Sequence, residues 1–358
     1  MEKVIDLTPV ARPKTAQPWS RKSPKFIAGA ALASVIPAAM ALGFMAITGM
    51  DFMAALIAIF LPIQVIAAGL VGVSVYGRRG ILEGLLVVAT IFFSSFVFVL
   101  LGSVLWSVIS NGAAALSPSF IFQNNYYIQP KTSLEYGGVG HAILGSLLIV
   151  GVSTLVTVPL GLATAVYLTE TRGKSKGIIR TLLQAMAGLP SVVSGLFIYA
   201  MFIASGITTY AGWTGSLALI PLMLPTVARV TEESLRLVPA ELRNGALALG
   251  APAWRAFIQV TLPAAKSGIV TAVLLGVARV IGETAPLVLT TFAADRTNLN
   301  IFSGQMGSLP TYLFNYIAFG FDESIKRSWG AALVILIIVA ILFISARVAS
   351  RTRTKARK

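Results

Sequence analysis

The chain has 358 residues, 56% of them hydrophobic and only 11% charged, where a soluble domain carries about a quarter charged residues. Cysteine is absent and His141 is the single histidine, which excludes a disulfide framework, thiol catalysis, a Cys-based metal site and a His-rich metal centre. The net charge of +15 leaves two readings open, binding to a phosphate backbone or Lys and Arg accumulated on cytoplasmic loops.

Spanning a hydrocarbon core of about 30 Å takes roughly 20 apolar residues at helical rise. After a polar, basic tail over 1–25, too long and without the small-residue site of a cleavable signal peptide, eight apolar runs are candidate spans: 26–48, 53–76, 82–109, 142–168, 178–203, 213–230, 267–290 and 330–347. The first two are joined by a short turn, Thr48–Asp51, and read as a separable helical hairpin over 26–76 with the character of lipid-facing scaffold. With the N-terminus inside, 23 of the 28 Lys and Arg residues fall on cytoplasmic segments. Lys131, Arg296, Lys326 and Arg327 fall outside, and Arg279 lies within a span. That asymmetry sets the orientation, puts both termini in the cytoplasm, and disposes of nucleic acid because the charge is dispersed over every inner loop. The predicted fold is therefore an all-α polytopic membrane protein of the cell membrane, ending in a basic cytoplasmic tail over 348–358.

The outer loop 110–141 mixes Phe120, Phe122, Tyr126 and Tyr127 with amides, which suits an interfacial aromatic belt or a docking surface. A second outer loop, 291–329, carries the clusters Asp295–Arg296 and Asp322 to Arg327. The inner loop 231–266 is more informative. In Leu237-Val-Pro-Ala-Glu-Leu-Arg-Asn-Gly-Ala-Leu-Ala-Leu-Gly250, Pro239 suits a first helical turn and Gly250 the residue just past its end. Leu242, Ala246 and Leu249 share one face. Ala251-Pro252 opens a second short helix on which Trp254 and Phe257 share a face, and Leu262-Pro263 closes it. Two short helices joined at small residues make a knob that another protein could approach closely, or a surface hairpin without a partner.

This stretch resembles the EAA loop of ABC-importer permeases, Glu-Ala-Ala, three residues, Gly, nine residues, Ile-x-Leu-Pro. Here it reads Asn244-Gly245-Ala246, then Gly250, then Val260-Thr261-Leu262-Pro263, with the spacing kept. Asn244 and Gly245 depart from the pattern, and Glu241, one turn earlier, is a substitute acid. The resemblance implies that Glu241, Asn244, Ala246, Gly250, Leu262 and Pro263 face a separate ATPase. The chain itself has no phosphate-cradling loop: Gly173-Lys174-Ser175 ends like one, but Leu168 stands where a Gly is needed and no strand precedes it.

The span 267–290 holds Arg279 and Glu283 at i and i+4, a spacing that lets them share a helix face and pair. A central Arg costs about 2.5–3.5 kcal/mol to insert and usually faces a cavity, so the pair is either a neutralised tether or a translocation site. An Arg fork suits an oxyanion, and the carboxylate favours one that keeps a proton, such as hydrogen phosphate. Thr284 adds a hydroxyl, and Pro286 frees a backbone carbonyl.

Ala278-Arg-Val-Ile-Gly-Glu-Thr-Ala-Pro-Leu287 looks like the matching span of phosphate-specific transport (Pst) permeases, nearer their A-type than their C-type subunit. Gly188-Leu-Pro-Ser-Val-Val-Ser-Gly-Leu196, Pro221 through Leu237 and Gly137-Gly-Val-Gly140 agree with it. The likeness covers about residues 84–347. It implies a six-helix ABC-importer permease core within 77–347, to which the hairpin 26–76 adds two extra helices, with Arg279, Glu283 and Thr284 on the substrate pathway. It further implies a C-type permease as heterodimer partner, two ATP-binding subunits that hold ATP and Mg, and an external phosphate-binding protein. No cofactor or metal is expected on this chain, and it is expected to be non-catalytic. A permease for another oxyanion and an ion-coupled secondary transporter are the alternatives; the latter would more often show several midplane charges.

Overall fold

The computed structural model describes residues 24–76, 80–171 and 173–350, and among them every regular element is helical. Most of both basic tails, residues 77–79 and Arg172 lie outside the described residues.

The chain divides into two units, with the division falling at Ser103. In the first, α1 (Pro24–Thr48) packs on α3 (Leu61–Tyr76), which α2 (Phe52–Ala55) enters through a π-helical turn, Leu56–Phe60. Gly49 turns the chain with φ +66, a left-handed conformation glycine adopts freely, and its N–H closes α1 on the Met45 carbonyl. Helices α1 and α3 thus pack against each other within the stretch 26–76. Ile47, Ile57 and Leu70 are exposed, as lipid-facing side chains are. Most of α4 (Gly80–Ala113) also belongs to this unit.

The second unit holds α5 (Pro118–Phe122), α6 (Gly140–Glu170), α7 (Lys176–Ala187), α8 (Ser191–Ile198, running into a π turn to Ala204), α9 (Gly212–Arg236), α10 (Ala240–Ala248), α11 (Ala253–Ala256), α12 (Leu262–Ala264), α13 (Lys266–Val280), α14 (Ala285–Thr290), α15 (Leu309–Ala318) and α16 (Asp322–Ser350). A second π turn, Phe257–Thr261, joins α11 to α12. Both π turns that precede a proline have one local cause. A proline ring displaces the carbonyl four residues back, and in each case the preceding leucine donates five residues back instead, Leu61 to Leu56 and Leu262 to Phe257.

The core lies where α6, α9, α13 and α14 meet, around Ile149, Leu219, Leu222, Met223, Val227, Val280 and Leu287. Helices in lipid gain little from hydrophobic association and rely on close backbone approach and polar ties. Both devices are present. Val227 of α9 fits over Gly161 of α6 and Gly276 of α13, where an added Cβ would lie 2.8 and 2.7 Å from it. The Ser153 and Ser194 hydroxyls donate to the Ser216 and Ala218 carbonyls of α9 at 2.9 and 2.6 Å.

Among the described residues four helices are long and apolar enough to cross a membrane, and up to six spans result if each of two bent pairs counts as one. The bends differ from the straight runs expected from sequence. The predicted span 178–203 turns by 98° between α7 and the segment Ser191–Ala204, at Gly188-Leu189-Pro190. The predicted span 267–290 stops at Val280 and restarts as α14. The loop 291–329 contains α15 and the first turns of α16.

Candidate translocation and coupling site

The break in the α13–α14 segment decides where its charged residues go. Pro286 sits in the first turn of α14, where its missing N–H costs nothing, and Gly282 falls in the intervening turn. Glu283 donates its N–H to Val280 at 3.2 Å, so the α-helical register from Arg279 to Glu283 is lost. The two side chains form no ion pair within 4.0 Å, and Arg279 Nη1 donates instead to Thr226 Oγ1 of α9 at 3.3 Å. Arg279 is exposed on the isolated chain, and Glu283 and Thr284 are half-buried.

Neighbouring glycines hold the break in place. An added Cβ on Gly195 of α8 would lie 2.5 Å from Pro286 Cα, and one on Gly215 of α9 would meet Thr291 at 2.3 Å. Thr214 Oγ1 donates to the Thr290 carbonyl at 3.0 Å, and Thr290 Oγ1 to Pro286 O at 2.7 Å. The short helix is thus clamped from α8, α9 and itself. Phe292 follows it with φ +59, an outlier for a bulky side chain, its ring 5.2 Å from that of Tyr210.

One turn beyond Thr226 on α9 lies Arg229, which lines a cleft of about 270 Å³ with Arg180, Gln184, Glu232, Glu233 and Arg236. Glu232 holds two of these arginines, Arg180 at 2.8 Å and Arg236 at 2.6 Å, whereas Arg229 joins no ion pair among the described residues. None of these residues carries a motif that marks it in the sequence. The Glu232–Arg236 spacing of i, i+4 is a readable signal, but Arg180 comes from a distant helix.

The loop 231–266 folds into the short helices α10, α11 and α12, a knob at the same end of the bundle. Helix α10 ends in a Schellman motif: Gly250, at φ +84, donates to Leu247 O at 2.9 Å, and Ala251 donates to Ala246 O at 3.1 Å. Leu249 is 91% exposed, Leu242 50% and Trp254 60%. Phe257 faces inward with Val238, Leu235 and Ala265, so the face shared by Trp254 and Phe257 is split between surface and core. Glu241, Asn244, Gly250 and Pro263 are exposed, and Ala246 and Leu262 are half-buried. Gly245 has open space where a Cβ would stand. An ion pair absent from the sequence reading, Arg243–Glu170 at 2.7 Å, ties α10 to the end of α6.

At the Gly140 end of α6, Asn125 Nδ2 donates to the phenol oxygens of Tyr312 (3.0 Å) and Tyr316. Burial pushes the Tyr316 phenol up to about 12 and raises that of Tyr312 as well, so both stay neutral. Arg327, fully buried, donates to the carbonyls of Ser133 and Tyr136 at 2.8 and 2.7 Å and straps the preceding loop down. In the Asp322–Arg327 cluster only Glu323–Lys326, at 2.7 Å, is an ion pair.

The second unit is thus a bundle of broken spans with a protruding two-helix knob. Two solved structures share the fold: an inward-facing methionine ABC transporter (TM-score 0.50, 18% identity, covering 59% of this chain and 95% of that one) and a bacterial alginate ABC transporter bound to a periplasmic protein carrying an alginate pentasaccharide (TM-score 0.54, 15% identity, covering 77% and 98%). The family model for the binding-protein-dependent transport system inner membrane component matches residues 157–354. Among curated relatives, the phosphate transport system permease protein PstA 1 of Mycobacterium tuberculosis is 38% identical over 276 residues, 76% of this chain and 89% of that protein. PstA of Pasteurella multocida is 36% identical over 247 residues, covering 68% and 86%. The chain belongs to the PstA family of binding-protein-dependent inner-membrane permeases, and it is a multi-pass membrane protein.

Proposed function

We propose that this chain is the A-type permease subunit of an ATP-driven inorganic phosphate importer. Its family supports that reading, and so does one observation: Arg279, near the end of a broken helix, is exposed and among the described residues is engaged only by a neutral hydroxyl, Thr226. An arginine with free donors can take an oxyanion in its fork, while Glu283 and Thr284, held nearby at the break, can accept the proton of hydrogen phosphate and donate to its oxygens. Arg229, one turn along α9, is a second cation on the way to the cleft at the knob's end of the bundle.

The proposed topology has eight spans and two cytoplasmic termini, with 26–76 as an additional hairpin and 77–347 as the permease core. The knob over 231–266 docks a separate ATPase through Glu241, Asn244, Ala246, Gly250, Leu262 and Pro263, and hydrolysis of ATP with Mg belongs to that subunit. A C-type permease completes the pathway, and an external phosphate-binding protein delivers the anion. With Asn244 in place of the pattern's acid, Glu241 is the only carboxylate on α10.

The test is phosphate uptake by Arg279→Gln, Glu283→Gln and the double variant in the assembled importer. Arg279→Gln abolishes uptake while the complex still forms and hydrolyses ATP. Glu283→Gln slows turnover. Wild-type uptake in the double variant would show that neither charge is needed for transport and end the pathway reading.

A further inference from the structure

Helix α7 divides into three sides at about 100° per residue. Ile179, Leu183 and Met186 fall on one side, and Leu183 is buried against Leu168 of α6 and Ala228 of α9. Gly177, Thr181 and Gln184 fall on a second, polar side, with Arg180 at its margin reaching Glu232. Ile178, Leu182 and Ala185 fall on a third, and here Ile178 is 66% and Leu182 57% exposed. Among the described residues nothing covers that apolar strip.

The helix cannot be a span. Its 12 residues reach about 18 Å at about 1.5 Å each, short of a hydrocarbon core. It also lies at 98° to the segment that follows. The end of α7 nearest α6 carries Lys174 and Lys176, neither of them in an ion pair among the described residues. A short helix with one side on the protein, one polar and one apolar, with lysines at its end, matches an amphipathic helix lying in the membrane interface. Basic residues at that depth attract anionic headgroups. The near-perpendicular bend after α7 and the lysines at its first turn favour a lipid surface over a protein partner.

We propose that α7 is an in-plane surface helix whose Ile178–Leu182–Ala185 strip enters the acyl boundary, with Lys174 and Lys176 holding an anionic phospholipid headgroup. The lipid is mechanically placed to matter. Arg180 ties α7 to Glu232 of α9, the helix carrying Thr226 and Arg229, and Glu170, just before α7, ties to Arg243 of the knob.

The chain's lack of cysteine makes the test direct. Single nitroxide labels are placed by Ile178→Cys, Leu182→Cys, Thr181→Cys and Gln184→Cys in the complete importer, reconstituted in phosphatidylcholine vesicles with and without phosphatidylglycerol. Labels at 178 and 182 should be relaxed by oxygen and shielded from a water-soluble nickel chelate, with the reverse at 181 and 184. Labels at 178 and 182 shielded from both reagents would mean a protein covers the strip and would overturn the proposal, as would nickel access at all four. Lys174→Gln/Lys176→Gln should weaken retention of phosphatidylglycerol by an order of magnitude or more, and unchanged retention refutes the headgroup assignment. Neither readout depends on phosphate, so the transport reading stands or falls separately.

Discussion

Replacing Gly195 by alanine tests whether the position of the α13–α14 break, and not merely its composition, carries transport. The new Cβ would lie 2.5 Å from Pro286 Cα and 3.1 Å from Pro286 O, so it falls about 0.9 Å short of ordinary contact at 3.4 Å. Backbone atoms cannot swing aside as a side chain can, so α8 and α14 must separate by nearly that amount. Overpacking of this kind costs about 1–3 kcal/mol, which a packed membrane unit survives. A misplacement of about 1 Å in a site that must hold an oxyanion by several groups costs about a hundredfold in rate, and Glu283 and Thr284 immediately precede the displaced helix. The importer carrying Gly195→Ala should therefore assemble normally and transport phosphate far more slowly. The control is Gly177→Ala, where nothing lies within 4 Å of the new Cβ and alanine is the better helix former by about 1 kcal/mol. Proteoliposome uptake is the assay, with complex recovery on size exclusion alongside it. If Gly195→Ala transports at the wild-type rate, the packing does not set the site.

The knob separates two substitutions that look alike in sequence. Gly245→Trp, at a position with open space, should block ATPase docking without unfolding α10, whereas Gly250→Ala should strain its φ +84 turn by about 1–2 kcal/mol and lower thermal stability; co-purification of the ATPase and a melting curve distinguish them. Arg243→Ala removes the link from α10 to Glu170, so ATP hydrolysis should persist while uptake per ATP falls several-fold; an unchanged ratio shows the link to be idle. For topology, Leu249→Cys at 91% exposure should be shielded from an impermeant external reagent in intact cells.

Much of the knob was legible. Pro239, Gly250 and the Leu262–Pro263 step have local meanings in proline and glycine chemistry, and each marks an element boundary close to where it was expected. The membrane character followed from composition, because no arrangement of these side chains could hide so much apolar surface from water. The expected Arg279–Glu283 pair failed for a local reason that was also visible, Gly282 and Pro286, but a glycine and a proline alone do not say whether a span kinks or stops. The 98° turn after α7 was hidden because an amphipathic helix and the apolar segment beyond it merge into one run of hydropathy.

The sequence by itself determined that this is a helical membrane protein, where its helices can begin and end, and, through the spacing of its motifs, to which family it belongs. These depend on interactions within a few residues, or on totals over the whole chain. Only the tertiary structure decided which charges meet. Arg279 turns to Thr226, Glu232 gathers Arg180 and Arg236, and Arg243 reaches Glu170, most of them across distances in sequence that no periodicity encodes. Helices in lipid settle where small residues let backbones approach. A charged side chain's partner is then whatever that packing brings within reach.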